Sequence, residues 1–352
     1  MRIRIVATAL LAALLVSACG SGDNNGTSTD ADDTVTLVAH NSFSISKPVL
    51  RAFTKQTGIT VKVLKNGDAG AALNQAILTK DNPLGDVFFG VDNTFLSRAL
   101  AEDIFAPYTA AGINRVPAAL RLDDRNRVTP VDYGDVCINY DKEWFAREQV
   151  AVPSTLDDLA APEHRGRLVV ENPATSSPGL AFLLASVAEY GEDGWEDYWT
   201  RLRDNDVKVV DGWEQAYNNE FSAGSGEGDY PLVVSYASSP PVEVIYADPK
   251  PATAPTAALP DTCFRQVEFA GALEGAEHPR AAKELVDFML SETFQADIPL
   301  QMFVFPAREG TPLPSVFTQY ASIPEDPFTL PPAEIGANRD EWISQWTTTV
   351  LR

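Results

Sequence analysis

Short apolar runs alternate with helix-length amphipathic stretches along residues 35–100, give way to one unusually long extended run at 128–140, and then alternate again. The first set of runs, at 35–39, 59–64 and 86–91, is followed by helical segments at 47–57, 71–79 and 93–100, the first closed by Gly58. Strands and helices alternating at this pace build βαβ units and a largely parallel sheet. In such sheets ligands sit beyond the carboxyl ends of the strands. Those ends carry His40, Asn41, Asp68 and Asp92.

After the long run the pattern restarts. A short helix begins at Thr155, a buried strand covers 168–170, and helices are expected at 177–190, 194–202 and 214–221. Strands at 207–210 and 232–236 end in Asp211-Gly212-Trp213 and in Ala237-Ser238-Ser239-Pro240, with a Gly-rich surface loop at 223–229 between them. Residues 266–269 are extended, 280–290 are amphipathic, and 334–350 form a last helix whose Trp342 and Trp346, four apart, make a docking face. The restart predicts two lobes of similar design, although no sequence repeat proves it. The chain is expected to cross between them at about 131–138 and 262–268. Residues 34–131 with 267–320 then form one lobe, 138–262 the other, and 321–352 a helical segment assigned to neither.

The stretch 167–190 is the most informative single piece. A strand leads into a polar loop, and a helix follows with Ser177 at its start, Pro178 in its first turn and Gly191 after its end. Hydroxyls and bare helix N–H groups are suited to an anion. The other candidates at strand ends or helix starts are Asp211, Trp213 and Tyr217, then Tyr236, Ala237, Ser238 and Ser239, and Phe303 with Phe305 in a coil. Aromatic faces beside an acid suit a flat organic cation, each desolvated contact being worth up to ~2 kcal/mol. Taken singly, Trp213 also reads as a core residue and Ser176 as a capping hydroxyl.

Charge narrows the partners. Across 352 residues, 49 acidic side chains against 27 basic ones give a formal charge of −22, which repels nucleic acid and anionic lipid. The amino terminus has Arg2 and Arg4, then an apolar run at 5–16 too short to span a bilayer, then Ser17-Ala18-Cys19. Val16-Ser17-Ala18-Cys19 resembles the bacterial lipobox, in which the cysteine is acylated and becomes the first mature residue. Residues 1–18 are therefore read as a lipoprotein signal peptide and 19–33, rich in Gly, Ser, Asn, Thr and Asp, as a tether. The expected location is the cell envelope or periplasm, on the outer face of the cytoplasmic membrane, with the lipid on Cys19 as anchor. Cys137 and Cys263 are then an even pair in an oxidising compartment, read as a disulfide, with two buried thiols or one reactive thiol as alternatives.

No P-loop, GxSxG, HExxH or CxxC pair is present, and the three histidines, His40, His164 and His278, are far apart in sequence. No metal site or cofactor is expected, ferric iron on paired tyrosines being the metal option left. The segments at 132–142 (DYGDVCINYDK), 171–184 (ENPATSSPGLAFLL), 211–217 (DGWEQAY), 233–240 (VVSYASSP) and 341–346 (EWISQW) resemble the thiamine-binding proteins of bacterial ABC transporters, in order and spacing. The resemblance implies an α/β, two-lobed type II periplasmic-binding-protein fold, with two mixed sheets flanked by helices, a hinge and an interlobe cleft. It further implies a monomer that binds thiamine, its monophosphate or its pyrophosphate and delivers it to a permease and ATPase, with no reaction catalysed.

Carried over by motif, the resemblance makes Asp68 and Ala69 a first-lobe contact and Ser176 and Ser177 the phosphate-side contact. Trp213 becomes an aromatic wall and residues 236–239 a further binding loop. His40 and Asn41 stand where the family commonly has tyrosine and aspartate, and Phe303 where a tryptophan can stand. Asp68 and Asp211 are candidates to balance the thiazolium, or are turn residues. Two rival functions share the fold: a ferric-ion or polyamine binder, and a thiaminase-like transferase using Cys137 as nucleophile beside Asp135.

Overall fold

The computed structural model describes residues 33–224 and 226–352. The leader, Cys19 and the tether up to residue 32 lie outside the described residues. Among the described residues nine strands make one sheet: β1 (Thr34–Ala39), β2 (Thr60–Lys65), β3 (Val87–Asp92), β4 (Thr129–Asp141), β5 (Leu168–Glu171), β6 (Lys208–Val210), β7 (Leu232–Tyr236), β8 (Thr256–Ala272) and β9 (Phe305–Pro306). Their order is β2-β1-β3-β8-β4-β7-β5-β6, with β9 on β4. β1 lies parallel between β2 and β3, and β5 lies parallel between β6 and β7. The same winding is thus used twice, each time closed by a long antiparallel strand.

The two expected sheets are hydrogen-bonded into one path. The cause is length: β4 has 13 residues and β8 has 17, and they pair with each other from Thr129↔Ala270 to Asp141↔Thr256. Both strands therefore pass through both halves. Their ladder slips between Val136 and Ile138, where Ile138 donates its N–H to the Thr262 hydroxyl at 3.0 Å. Cys137 and Cys263 are joined by a disulfide at that break, tying the crossing strands together.

Local chemistry explains the elements. β1, β3, β5 and β7 are apolar and buried, whereas β2 is an edge strand that exposes Lys62 and Lys65. The helix Lys47–Thr57 ends on Gly58 in the left-handed conformation, φ 79°. The helix Ala69–Leu78 starts two residues earlier than expected, because the Asp68 side chain caps it by accepting from Ala69 N. The helix expected at 214–221 is a single turn, Trp213–Gln215, running into a wide turn, Ala216–Glu220. The last helix, Pro332–Leu351, buries Trp342 and Trp346, and the Trp346 ring meets Trp199 at 5.4 Å. The Arg339 guanidinium of the same helix lies 5.4 Å from the Phe95 ring, so the helix touches both halves.

Candidate functional site

The carboxyl ends of β1, β2, β3, β5, β6 and β7 turn towards one cleft, as parallel winding requires. The main cavity of this cleft comprises about 610 Å³ of empty space, its open mouth included. Of the expected residues, His40, Asp68, Ala69, Ser177, Trp213, Tyr236, Ser239 and Phe303 line it.

The two halves meet across this cavity. Asp68 Oδ1 accepts from Ala69 N at 2.7 Å, and Oδ2 accepts from Trp213 N at 2.9 Å, from the opposite half. Gly70 N and Ala71 N donate to the Thr175 carbonyl at 3.0 and 3.2 Å. A side chain on Gly70 would meet Thr175 O at 2.9 Å and Phe95 at 2.8 Å, so this approach needs glycine.

Trp213 is held as a wall. Its indole N–H donates to Ser235 Oγ at 2.9 Å, Ser235 and Ser239 share a hydrogen bond of 2.8 Å, and its ring stacks on Tyr217, centroids 5.1 Å apart. Tyr236 provides a second aromatic surface. Burial, together with the charges of Glu268, Asp92 and Asp68, pushes its phenol well above the ordinary range and keeps it neutral. Phe303 has φ 57°, a strained value for a bulky residue, and its ring sits 6.0 Å from Tyr246.

The floor is acidic. Glu268 Oε1 lies 3.0 Å from His40 Nε2. Burial lowers the imidazole pKa, but Glu268 outweighs it and the net shift is upward. The His40 ring fits against β3 because Gly90 there has φ 106° and no side chain in its way. Asp92 is fully buried: Oδ1 accepts from Thr94 Oγ1 at 2.6 Å, and Oδ2 accepts from Gln266 Nε2 at 2.7 Å and from the Ser177 hydroxyl. Burial nevertheless raises the Asp92 pKa. Asp132 is raised well above the carboxylate range by burial and by Glu268, and Glu171 by burial and by Asp68.

Six expected residues do not line the main cavity. Asn41 and Asp211 face a neighbouring opening shared with Asp68 and Trp213; their carbonyls accept from Lys65 Nζ at 2.8 Å and from Thr175 Oγ1 at 2.7 Å. Tyr217 is buried behind Trp213 as its support. Ala237 packs on the disulfide. Ser176 and Ser238 are buried, their hydroxyls without a hydrogen-bond partner among the described residues. Missing from the sequence reading were Ser42, Pro178, Val242, Gln266, Glu268, Met302 and Val304. The alternation Gln266-Val267-Glu268-Phe269 was the available signal, since every second residue of a strand faces one side. Cys137 is bonded to Cys263, so the thiol that a transferase would need is absent.

The sequence profile described as bacterial extracellular solute-binding protein matches residues 82–322. This chain belongs to that family. The binding protein is 30% identical to the thiamine-binding periplasmic protein of Escherichia coli, over 92% of its own length and 95% of that relative. It is 29% identical to the protein of the same name from Brucella suis, with 92% and 93% covered. Among solved structures, a periplasmic thiamin binding protein superposes with a TM-score of 0.79 at 28% identity, covering 91% of the binding protein and 96% of that chain. A ferric binding protein from Campylobacter jejuni superposes with 0.71 at 18% identity, covering 90% and 99%, which shows the fold alone. The fold is the two-lobed type II arrangement of periplasmic binding proteins.

Proposed function

We propose that the binding protein captures thiamine in the cleft and presents it to the permease and ATPase of an ABC importer, as an exported monomer anchored through lipid on Cys19, without catalysing a reaction. The observation that carries this reading is the cleft itself. The braced Trp213 wall and the Tyr236 ring offer flat faces, while Asp68 and Glu268 supply negative charge and none of the described lining residues is a lysine or arginine. Such a cavity favours a flat aromatic cation, and thiamine joins a cationic thiazolium to a flat pyrimidine. The names of the relatives point the same way.

The ferric reading calls for paired tyrosines, and among the described residues that line the main cavity Tyr236 is the single tyrosine. The test is melting with thiamine, spermidine and ferric citrate in turn. Thiamine at 100 times its dissociation constant raises stability by ~2.7 kcal/mol. A shift with spermidine or iron and none with thiamine overturns the reading.

A further inference from the structure

A separate opening lies where residues of the helices Ala69–Leu78, Leu96–Ala101 and Pro332–Leu351 converge. No described residue lines both this opening and the main cavity. The last helix comes close to the second because Gly336 faces Ser97; a side chain at Gly336 would meet Ser97 Cβ at 3.0 Å. That approach carries Arg339 inward, against the Phe95 ring, and Arg339 and Arg98 both line the opening.

A buried guanidinium needs a counter-charge. Arg339 is 3% exposed, and its carboxylate partner is its chain neighbour Asp340, whose side chain is 86% exposed. Burial lowers the Arg339 pKa, Asp340 opposes that, and Arg98 adds to it. Asp92, in the cleft floor, gives the smallest pull and is itself tied to Thr94, Ser177 and Gln266. Arg98 has no hydrogen bond and no ion pair among the described residues, and the acid one turn further on, Glu102, is engaged by Lys80 at 2.8 Å. Asn74 also lines the opening. Its Oδ1 is buried without a partner among the described residues, which leaves the amide nitrogen, a donor, as the accessible end. In a chain of formal charge −22, this opening thus sets two positive side chains against one negative side chain that stands in water.

We propose that this opening binds a small oxyanion, a phosphate or a carboxylate, between the Arg98 and Arg339 guanidinium groups, with the Asn74 amide as a further donor. The planar guanidinium fork matches either group bidentately. The bound anion supplies Arg339 with the counter-charge that Asp340 gives only from the surface, and it relieves the repulsion between the two arginines.

The experiment is isothermal titration of the detergent-solubilised full chain with inorganic phosphate and, separately, with succinate, at neutral pH and constant ionic strength. Saturable heat in the millimolar range is expected with at least one of them, the tighter ligand naming the source, and an excess of thiamine should not displace it. Arg98→Gln removes one fork and Asn74→Asp puts a negative charge at the opening; each, checked for folding by its melting curve, is expected to weaken the anion at least tenfold. Arg98→Lys should restore part of the loss. Thiamine affinity should be unchanged in all three variants. Heat no greater than with sodium chloride for both anions overturns the site. So does saturation that neither Arg98→Gln nor Asn74→Asp weakens, or that thiamine displaces, since the anion then sits elsewhere.

Discussion

Asp68 holds Trp213 across the cleft: its Oδ2 accepts the tryptophan backbone N–H at 2.9 Å while its Oδ1 caps the helix Ala69–Leu78 at 2.7 Å. One carboxylate thus orders a helix in one half and positions the aromatic wall contributed by the other. Asp68→Ala removes both bonds and is expected to lower stability by about 2 kcal/mol, combining a lost cap with a lost charge-assisted hydrogen bond. Denaturant titration measures the loss. Asp68→Asn, which keeps an acceptor for one of the two donors, should fall between; equal stability of all three proteins would show the contact to be idle.

Trp213 is half-buried and rests on Tyr217, so its removal exposes a supported surface and leaves the core intact. Trp213→Ala should raise the thiamine dissociation constant more than tenfold, given up to ~2 kcal/mol for a desolvated cation over an indole. The melting temperature of the unliganded protein should move little. Titration calorimetry beside a melting curve separates the two effects, and unchanged affinity would remove Trp213 from the site.

The pH dependence of stability has a defined sign at His40. Its pKa is raised in the folded protein, so the imidazolium beside Glu268 contributes stability that is fully present below the ordinary histidine pKa. That contribution is lost as pH rises through the folded value. His164, whose pKa is lowered by burial, acts in the opposite sense, so the comparison must be made between proteins that share it. The stability of wild type relative to His40→Gln is therefore expected to be greatest near pH 5.5 and to shrink towards pH 8.5. A difference that grows with pH contradicts the assignment.

The disulfide closes a separation of 126 residues. The double change Cys137→Ser with Cys263→Ser is expected to lower stability by about 2–5 kcal/mol. In a Cys19→Ala background, iodoacetamide should add no mass to the folded, unreduced protein; alkylation of Cys137 would restore the transferase as a candidate.

Lipid attachment is tested directly in cells. Radiolabelled palmitate should enter the wild-type chain and be absent from Cys19→Ala, with the variant released from the membrane fraction. Label that persists in the variant excludes Cys19 as the anchor.

Features that depend on neighbours in sequence were legible before any coordinates. Gly58 and Gly191 end helices, Thr155 begins one, and Pro178 stands in the first turn of its helix. Strand ends were legible too, which is why His40, Asp68 and Trp213 were found. The acidic floor was not, because it is set by pairing between distant strands. Glu268 lies opposite Asp92 on β3 and opposite Asp132 on β4, and only that register brings three acids together. Ser177 was read as an anion ligand from its helix start; its hydroxyl also meets the Asp92 carboxylate, 85 residues away in sequence, which nothing local to the helix announces. Tyr217 was counted among the ligand contacts because nothing local distinguishes a ring that touches a ligand from one that braces another ring.

The cystine at the slipped ladder sits on both chain crossings at once. The covalent tie resists sliding of one crossing past the other at the point where the hydrogen-bond ladder is interrupted.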